Sequence, residues 1–155
     1  LLGALRDVAC VDIVHDKLRE VPEQLRSCTR LKYLDMGSNE IAKLPGWFDA
    51  FPGLQVLGLN DYKGQAFPEE ILSMARLKHL KMVDVSCPFP DELLNLPSLE
   101  MMAVSKERMD DPVTKRLADK GVRVYVPYFR YGHFGRARGA LFARLHPPRA
   151  VPRAG

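Results

Sequence analysis

Apolar residues recur along this chain with a period too long for the turn of a helix or the alternation of a strand. In the stretch Leu31 to Pro45, LKYLDMGSNEIAKLP, they fall at intervals of three, two, five and three, matching neither pattern. Written as L-x-x-L-x-L-x-x-N-x-L-x-x-L-P, the stretch is found again upstream at Val8, Val11, Ile13, Asp16, Leu18, Val21 and Pro22. Downstream, Leu54, Leu57, Leu59, Tyr62, Gly64, Phe67 and Pro68 fill the same slots. A fourth copy has Leu77, Leu80, Met82, Val85 and Cys87, with Phe89 and Pro90 one place early, and a fifth begins at Leu99, Met102 and Val104. The starts at 8, 31, 54, 77 and 99 lie 23, 23, 23 and 22 residues apart.

The second half of each unit repeats as well. Leu25, Cys28 and Leu31, then Phe48, Phe51 and Leu54, Ile71, Met74 and Leu77, and Leu93, Leu96 and Leu99 share an L-x-x-L-x-x-L spacing. Both halves together resemble the leucine-rich repeat family, whose units run 20–29 residues. The resemblance implies an α/β solenoid with short parallel strands on its concave face and irregular or short helical segments on its convex face. In such a coil Leu34 and Met36 point into the core from a short strand, Ile41 and Leu44 fill the turn, and Phe48 and Phe51 line the convex side. No coil could bury these residues alone; stacking makes the core. Leu2, Leu5 and Val8 keep the convex spacing, so the chain is expected to open inside an earlier repeat and to be a fragment of a longer protein.

The resemblance also assigns Asn39 to the asparagine that bonds backbone groups of the turn, within and between coils. Other copies carry Asp16, Tyr62, Val85 and Glu107 there, which predicts irregular turns downstream of Asn39. The segment NDYKGQAFP, with Gly64 in an apolar slot, is the expected site of a deformed loop.

The end of the solenoid is also readable. In MDDPVTKRLADKG, Asp111 is placed as N-cap, Pro112 at the first helical position and Gly121 just past the end. The alternating VRVYV that follows, with Val122 23 residues after Leu99, predicts a last strand. The repeat domain is thus expected over 1–126, with its helix-strand cap from about 106.

Charge divides the chain at Asp119, its last acidic residue. Up to there it holds 19 acidic and 15 basic residues; beyond come Lys120 and seven arginines. Residues 127–155 read as a basic, Arg/Pro/Gly-rich tail, with Tyr128, Phe129, Tyr131 and Phe134 placed to pack against the cap. Three cysteines, Cys10, Cys28 and Cys87, do not suggest a disulfide framework, and a cytoplasmic, reducing location is expected. No apolar run approaches the length of a membrane span, and LLGALRDV lacks the regions of a signal peptide.

Function is sought in the residues that the repeat leaves over. Those alternating with the core positions form columns across the strands: Cys10, Tyr33, Val56, His79 and Met101; Asp12, Asp35, Gly58, Lys81 and Ala103; Val14, Gly37, Asn60, Val83 and Ser105. An edge column holds His15, Ser38, Asp61, Asp84 and Lys106. All are expected to face solvent and to be dispensable for folding. Within them Asp12, Tyr33, Asp35, Val56, Asn60, His79, Lys81 and Met101 are the candidate partner-binding residues. Tyr33, Val56, His79 and Met101 would supply contact area, and Asp12, Asp35 and Lys81 charge complementarity.

Catalytic readings are weaker. His15, His79, His133 and His146 have no metal-ligand spacing with each other or with the cysteines, and neither a nucleophile elbow nor a phosphate-binding glycine loop occurs. Cys10 and Asp12 superficially match the Cys-x-Asp of bacterial ubiquitin-ligase effectors, but here they lie on a solenoid strand with no basic group nearby in sequence to activate the thiol. Cys28 and Cys87 occupy core slots, and Trp47 reads as a packing residue between two core phenylalanines. The expectation is a non-enzymatic module, without cofactor, metal or small-molecule substrate, that binds a protein partner. The alternatives are a regulatory or targeting part of a larger enzyme, and a tail that binds nucleic acid or an anionic membrane.

Overall fold

The computed structural model describes residues 5–127. The expectations for Leu2 and for the segment from Tyr128 onward lie outside these residues.

Six short strands form one parallel sheet in chain order: β1 (Cys10–Asp12), β2 (Tyr33–Asp35), β3 (Val56–Gly58), β4 (His79–Met82), β5 (Met101–Val104) and β6 (Arg123–Tyr125). Each pairs with the strand one repeat away, Leu34 beside Val11 and Leu57, and Leu57 beside Leu80. Backbone bonds tie neighbouring coils before and after a central strand such as β3. Before it, two successive N–H groups share one carbonyl of the preceding coil: Gln55 and Val56 donate to Lys32 at 2.9 and 3.0 Å, and Lys78 and His79 to Gln55 at 2.8 and 3.0 Å. After it, Met36 donates to Gly58 and Ser38 to Asn60, at 2.9 and 2.8 Å. The fold is a leucine-rich repeat solenoid.

The register tightens toward the end. Leu80 stands beside Met102, and Met102 beside Val124, so the last two steps are 22 residues rather than 23. The last strand is where the sequence predicts it, but Gly121 rather than Val122 takes the place of Leu99.

The convex side explains the three-residue spacing. It consists of 3-10 helices at Glu23–Ser27, Phe48–Ala50, Glu69–Ser73 and Asp91–Asn95. With three residues per turn, side chains at i, i+3 and i+6 lie on one face, which an α-helix would spread. A proline carbonyl opens each of them. Leu25, Phe48, Ile71 and Leu93 donate their N–H groups to Pro22, Pro45, Pro68 and Pro90 at 3.0, 2.9, 3.1 and 3.2 Å. Trp47 is half-buried and packs edge-on against Phe51, with ring centroids 6.1 Å apart. Cys28 and Cys87 are buried in the core, as expected.

Through the fourth coil the turns stay regular where irregular turns were expected; in the fifth, Lys106 instead begins a 3-10 helix, Lys106–Arg108. Ser38, Asp61 and Asp84, one repeat apart, all have the same left-handed backbone, with φ of 55°, 60° and 55°. Where the asparagine is missing, other side chains bond backbone carbonyls between coils, at other points of the loop. Asn39 spans the first two coils, accepting from Asp16 and Leu18 N–H (both 3.0 Å) and donating to the Ile13 and Met36 carbonyls (2.8 and 2.9 Å). In the next coil Tyr62 fills that slot and its hydroxyl donates 2.9 Å back to the Ala42 carbonyl. Gly64 is glycine because a Cβ there would stand 2.3 Å from the Tyr62 ring. Farther along, Arg108 reaches back to the Val85 and Cys87 carbonyls, stacks 4.7 Å over Phe89 and pairs with Asp111 at 3.1 Å.

The terminal helix, Pro112–Asp119, starts as expected. The Asp111 carboxylate accepts from Val113 N–H at 2.9 Å, and Gly121 past the end has φ +96°. Val113 and Leu117 close the core there.

Replacing Asn39 with Ala strands four backbone groups at the turn, the Met36 carbonyl buried and the others partly so. We expect a loss of about 3 kcal/mol, seen as a fall of roughly 6–12 °C in Tm, since buried donors and acceptors left unpaired carry their full desolvation cost. The exposed Asn95→Ala exchange serves as the control that leaves Tm in place.

Candidate functional site

The sheet face turned away from the 3-10 helices carries the candidate residues, and two of its members are not at the surface. Asp35 is 3% exposed and Asn60 is 4% exposed, and Ala103 is buried too, so the expectation that all alternating residues face solvent is corrected at these positions. Asp35 is buried because of its neighbour in the column. Gly58 has no side chain, and a Cβ there would lie 2.3 Å from Asp35 Oδ1; the carboxylate lies in the space that this glycine leaves. Asn60 is buried by the turn instead, accepting from Val83 N–H at 2.9 Å and packing beside Gly37. It belongs to the coil-to-coil scaffold.

The same gap lets Lys81, two strands away, lean across β3. Its Nζ lies 3.0 Å from Asp35 Oδ2 and donates to the Tyr33 hydroxyl at 3.3 Å. That hydroxyl also lies 3.4 Å from Asp35 Oδ2, and Asp35 Oδ1 accepts from Gly37 N–H at 3.0 Å. Lys81 further sits 5.2 Å from the centre of the Tyr33 ring. Three candidates on β2 and β4 are therefore one network in which the carboxylate is fully shielded and the ammonium side chain is 16% exposed. Burial, with the Asp35 and Asp12 charges adding to it and Lys81 opposing, pushes the Tyr33 phenol up to about 12.

His79 joins a second pair. Its Nε2 lies 2.8 Å from the Tyr125 hydroxyl, across β5. Burial, and then the nearby Lys81 ammonium, hold the imidazole down at about 4 against the pull of Asp35, so it is neutral at pH 7. Val56 and Met101 flank His79 in the same row and are half-buried. Asp12 stays exposed at the end of β1, its Oδ1 accepting from Val14 N–H at 3.3 Å, and joins neither network.

Two positions that shape this face were missed by the sequence reading. Gly58 was in the column, and opposite charges at Asp35 and Lys81 on either side of a glycine were the available signal. Tyr125 falls in this column only through the shortened register of β6. The face that results is apolar and aromatic at its centre, with its ion pair satisfied internally. Among the described residues no helix is long and apolar enough to cross a membrane.

Comparison with known proteins places this geometry. No family model matches the chain. It is 28% identical over 110 residues to Receptor-like protein 47 of Arabidopsis thaliana, covering 66% of this chain and 13% of that protein. It is 32% identical over 77 residues to the mouse (Mus musculus) leucine-rich repeat and calponin homology domain-containing protein 1, covering 50% of this chain and 10% of that one. The chain thus spans only a small part of the length of these relatives. Among solved structures, a leucine-rich repeat protein of Leptospira interrogans superposes with a TM-score of 0.50 at 24% identity, over 63% of this chain and 31% of that one.

Two outcomes test the site. In Gly58→Ala the new methyl group displaces the Asp35 carboxylate and breaks its pairing with Lys81. We expect a loss of about 2–4 kcal/mol and a rise in Lys81 acylation measured by mass spectrometry. For His79 the folded-state pKa lies below the unfolded value of 6.5, so its contribution is complete above that pH and is lost as pH falls from 6.5 toward 4. Denaturant titrations of the His79→Gln variant should lack this component of the acid limb.

Proposed function

The chain is a leucine-rich repeat protein, and from that premise we propose that it is a non-enzymatic protein-interaction module whose concave face receives a protein partner. One observation carries the reading: the row Tyr33, Val56, His79 and Met101 runs across four adjacent strands half-exposed, while the polar groups around it are bonded to each other. Such a row offers contact area that is rigid before the partner arrives, so little conformational entropy is lost on binding. The candidate residues divide by role. Val56, Met101 and the rings of Tyr33 and His79 touch the partner; Asp35, Lys81 and Asn60 hold the face in shape; Asp12 lies at its rim.

This division replaces direct charge complementarity as the basis of recognition. With Asp35 and Lys81 already paired, binding at the centre gains little from opposite charge on the partner, so a weak dependence on salt is expected. Three cysteines, an odd and small number, fit a reducing compartment, and a cytoplasmic location belongs to this proposal on that basis. The small share of the relatives' length that the chain covers favours a second reading beside the first: the module serves as a targeting or scaffolding part of a larger chain. Binding of nucleic acid or membrane through the basic tail concerns residues outside those described.

The test is capture of partners from a lysate by the immobilised full chain and by Val56→Glu/Met101→Glu. The variant is expected to retain its Tm within about 2 °C, because both positions are only half-buried, and to lose the captured proteins. The wild-type capture should survive ~0.5 M salt. Capture that persists in the variant would overturn the concave-face reading.

A further inference from the structure

The register of the sheet sets one row of side chains at a fixed step. Cys10, Tyr33, Val56, His79, Met101 and Arg123 stand beside one another, one on each strand. The middle four are half-buried, and the two at the ends are exposed. Neighbouring strands lie about 4.8 Å apart, so the middle four fall at roughly 0, 5, 10 and 14 Å along the axis of the stack.

An α-helix laid along that axis meets the same step. At about 1.5 Å per residue, its positions i, i+3, i+7 and i+10 lie at roughly 0, 4.5, 10.5 and 15 Å, on one face and within ~1 Å of the row throughout. An extended segment advances about 6.7 Å between side chains of one face, and after three such steps it is some 6 Å out of register. Width agrees as well. Strands of three or four residues cover about 10–13 Å, close to the diameter of one helix with its side chains. In the next column Asp35, Gly58 and Ala103 are all buried, so the floor beside the row is low there.

Charge at the two ends of the face gives such a helix a direction. Asp12 is exposed on β1, whereas Arg123 on β6 and Lys106 just beyond β5 are exposed at the other end. Asp61 and Asp84 belong to the middle coils and favour neither direction. A helix carries about half a positive charge at its N-terminus and half a negative one at its C-terminus, which sets the first over β1 and the second over β6.

We propose that the partner presents an amphipathic α-helix along the axis of the stack, with apolar residues at i, i+3, i+7 and i+10 over Tyr33, Val56, His79 and Met101 and its N-terminus toward β1. This inference rests on the concave-face reading above and adds to it the form, polarity and direction of the partner. The stripe on the partner is uncharged. Asp35 and Lys81 are already paired, so a charge set down over them would lose its water without gaining a counter-ion.

Peptides selected by the full chain test this. A random library of about 18 residues, ~27 Å of helix against the ~24 Å from β1 to β6, is displayed on phage and panned on the immobilised protein. Each selected peptide is titrated against wild type and Val56→Glu/Met101→Glu, with Val56→Thr/Met101→Gln in its place if the glutamates unfold the chain. We expect binding to fall about tenfold or more in the variant, alanine scans to peak at i, i+3, i+7 and i+10, and circular dichroism to turn helical on binding. Binding that the variant leaves unchanged would overturn the concave-face reading together with this one. Peptides that need Val56 and Met101 but scan with a two-residue period, stay non-helical or carry charge at the sensitive positions would overturn this inference alone, as would a library that yields no binder. A photo-cross-linker on the peptide N-terminus should attach to the segment bearing Asp12; attachment to the segment bearing Arg123, or to both equally, would overturn the direction proposed. Asp12→Lys/Arg123→Glu should weaken binding about threefold or more at low salt and leave it unchanged at ~0.5 M; no change at low salt would overturn it too.

Discussion

The hydrogen bonds that lay the backbone of one coil on the next are what the rest of this protein depends on. Before β2, β3, β4 and β5, two successive N–H groups converge on a single carbonyl of the preceding coil, and beyond β2 and β3 the pairing resumes at Met36 and Leu59. These bonds require coils of nearly constant length. A one-residue slip in a strand would exchange core and surface side chains, so the repeat length is enforced by hydrophobic burial and by backbone pairing at once. A coil that is one residue shorter is accommodated between strands: the early Phe89 and Pro90 precede the first 22-residue step, and β4 and β5 still pair over four residues.

What the repeat enforces was legible in the sequence. Leu34, Leu57, Leu80 and Met102 line up in the sheet as their spacing predicted, because a buried slot admits few residue types and so leaves a pattern. The terminal helix was legible for a different reason, since Asp111, Pro112 and Gly121 act through local backbone chemistry that needs no tertiary context. The alternation rule failed at Asp35. A polar side chain on the outer face of a strand reads as solvated unless its neighbours are known, and its burial was decided by Gly58 and Lys81, 23 and 46 residues away. Tyr125 was hidden by one residue of register, which a pattern of short strands cannot resolve without the pairing itself.

The asparagine slot shows how one structural requirement can be met by unrelated chemistry. The carbonyls and N–H groups of the tight turn must be paired wherever the slot is buried, but the partner can come from within the slot, as with Asn39 and Tyr62, or from the following coil, as with Arg108. A sequence motif records only the first and commonest solution. The unbroken series of left-handed residues at Ser38, Asp61 and Asp84 shows that the turn itself is conserved in shape where its usual residue is lost.

Because each coil touches only its neighbours, the protein is closer to a stack than to a sphere. In the first coil Val11, Ile13 and Leu18 are half-buried, whereas Leu34, Met36 and Ile41 in the second are sealed. Loss of one coil therefore uncovers only the coil beside it, so that under a mechanical pull the chain would yield coil by coil rather than all at once.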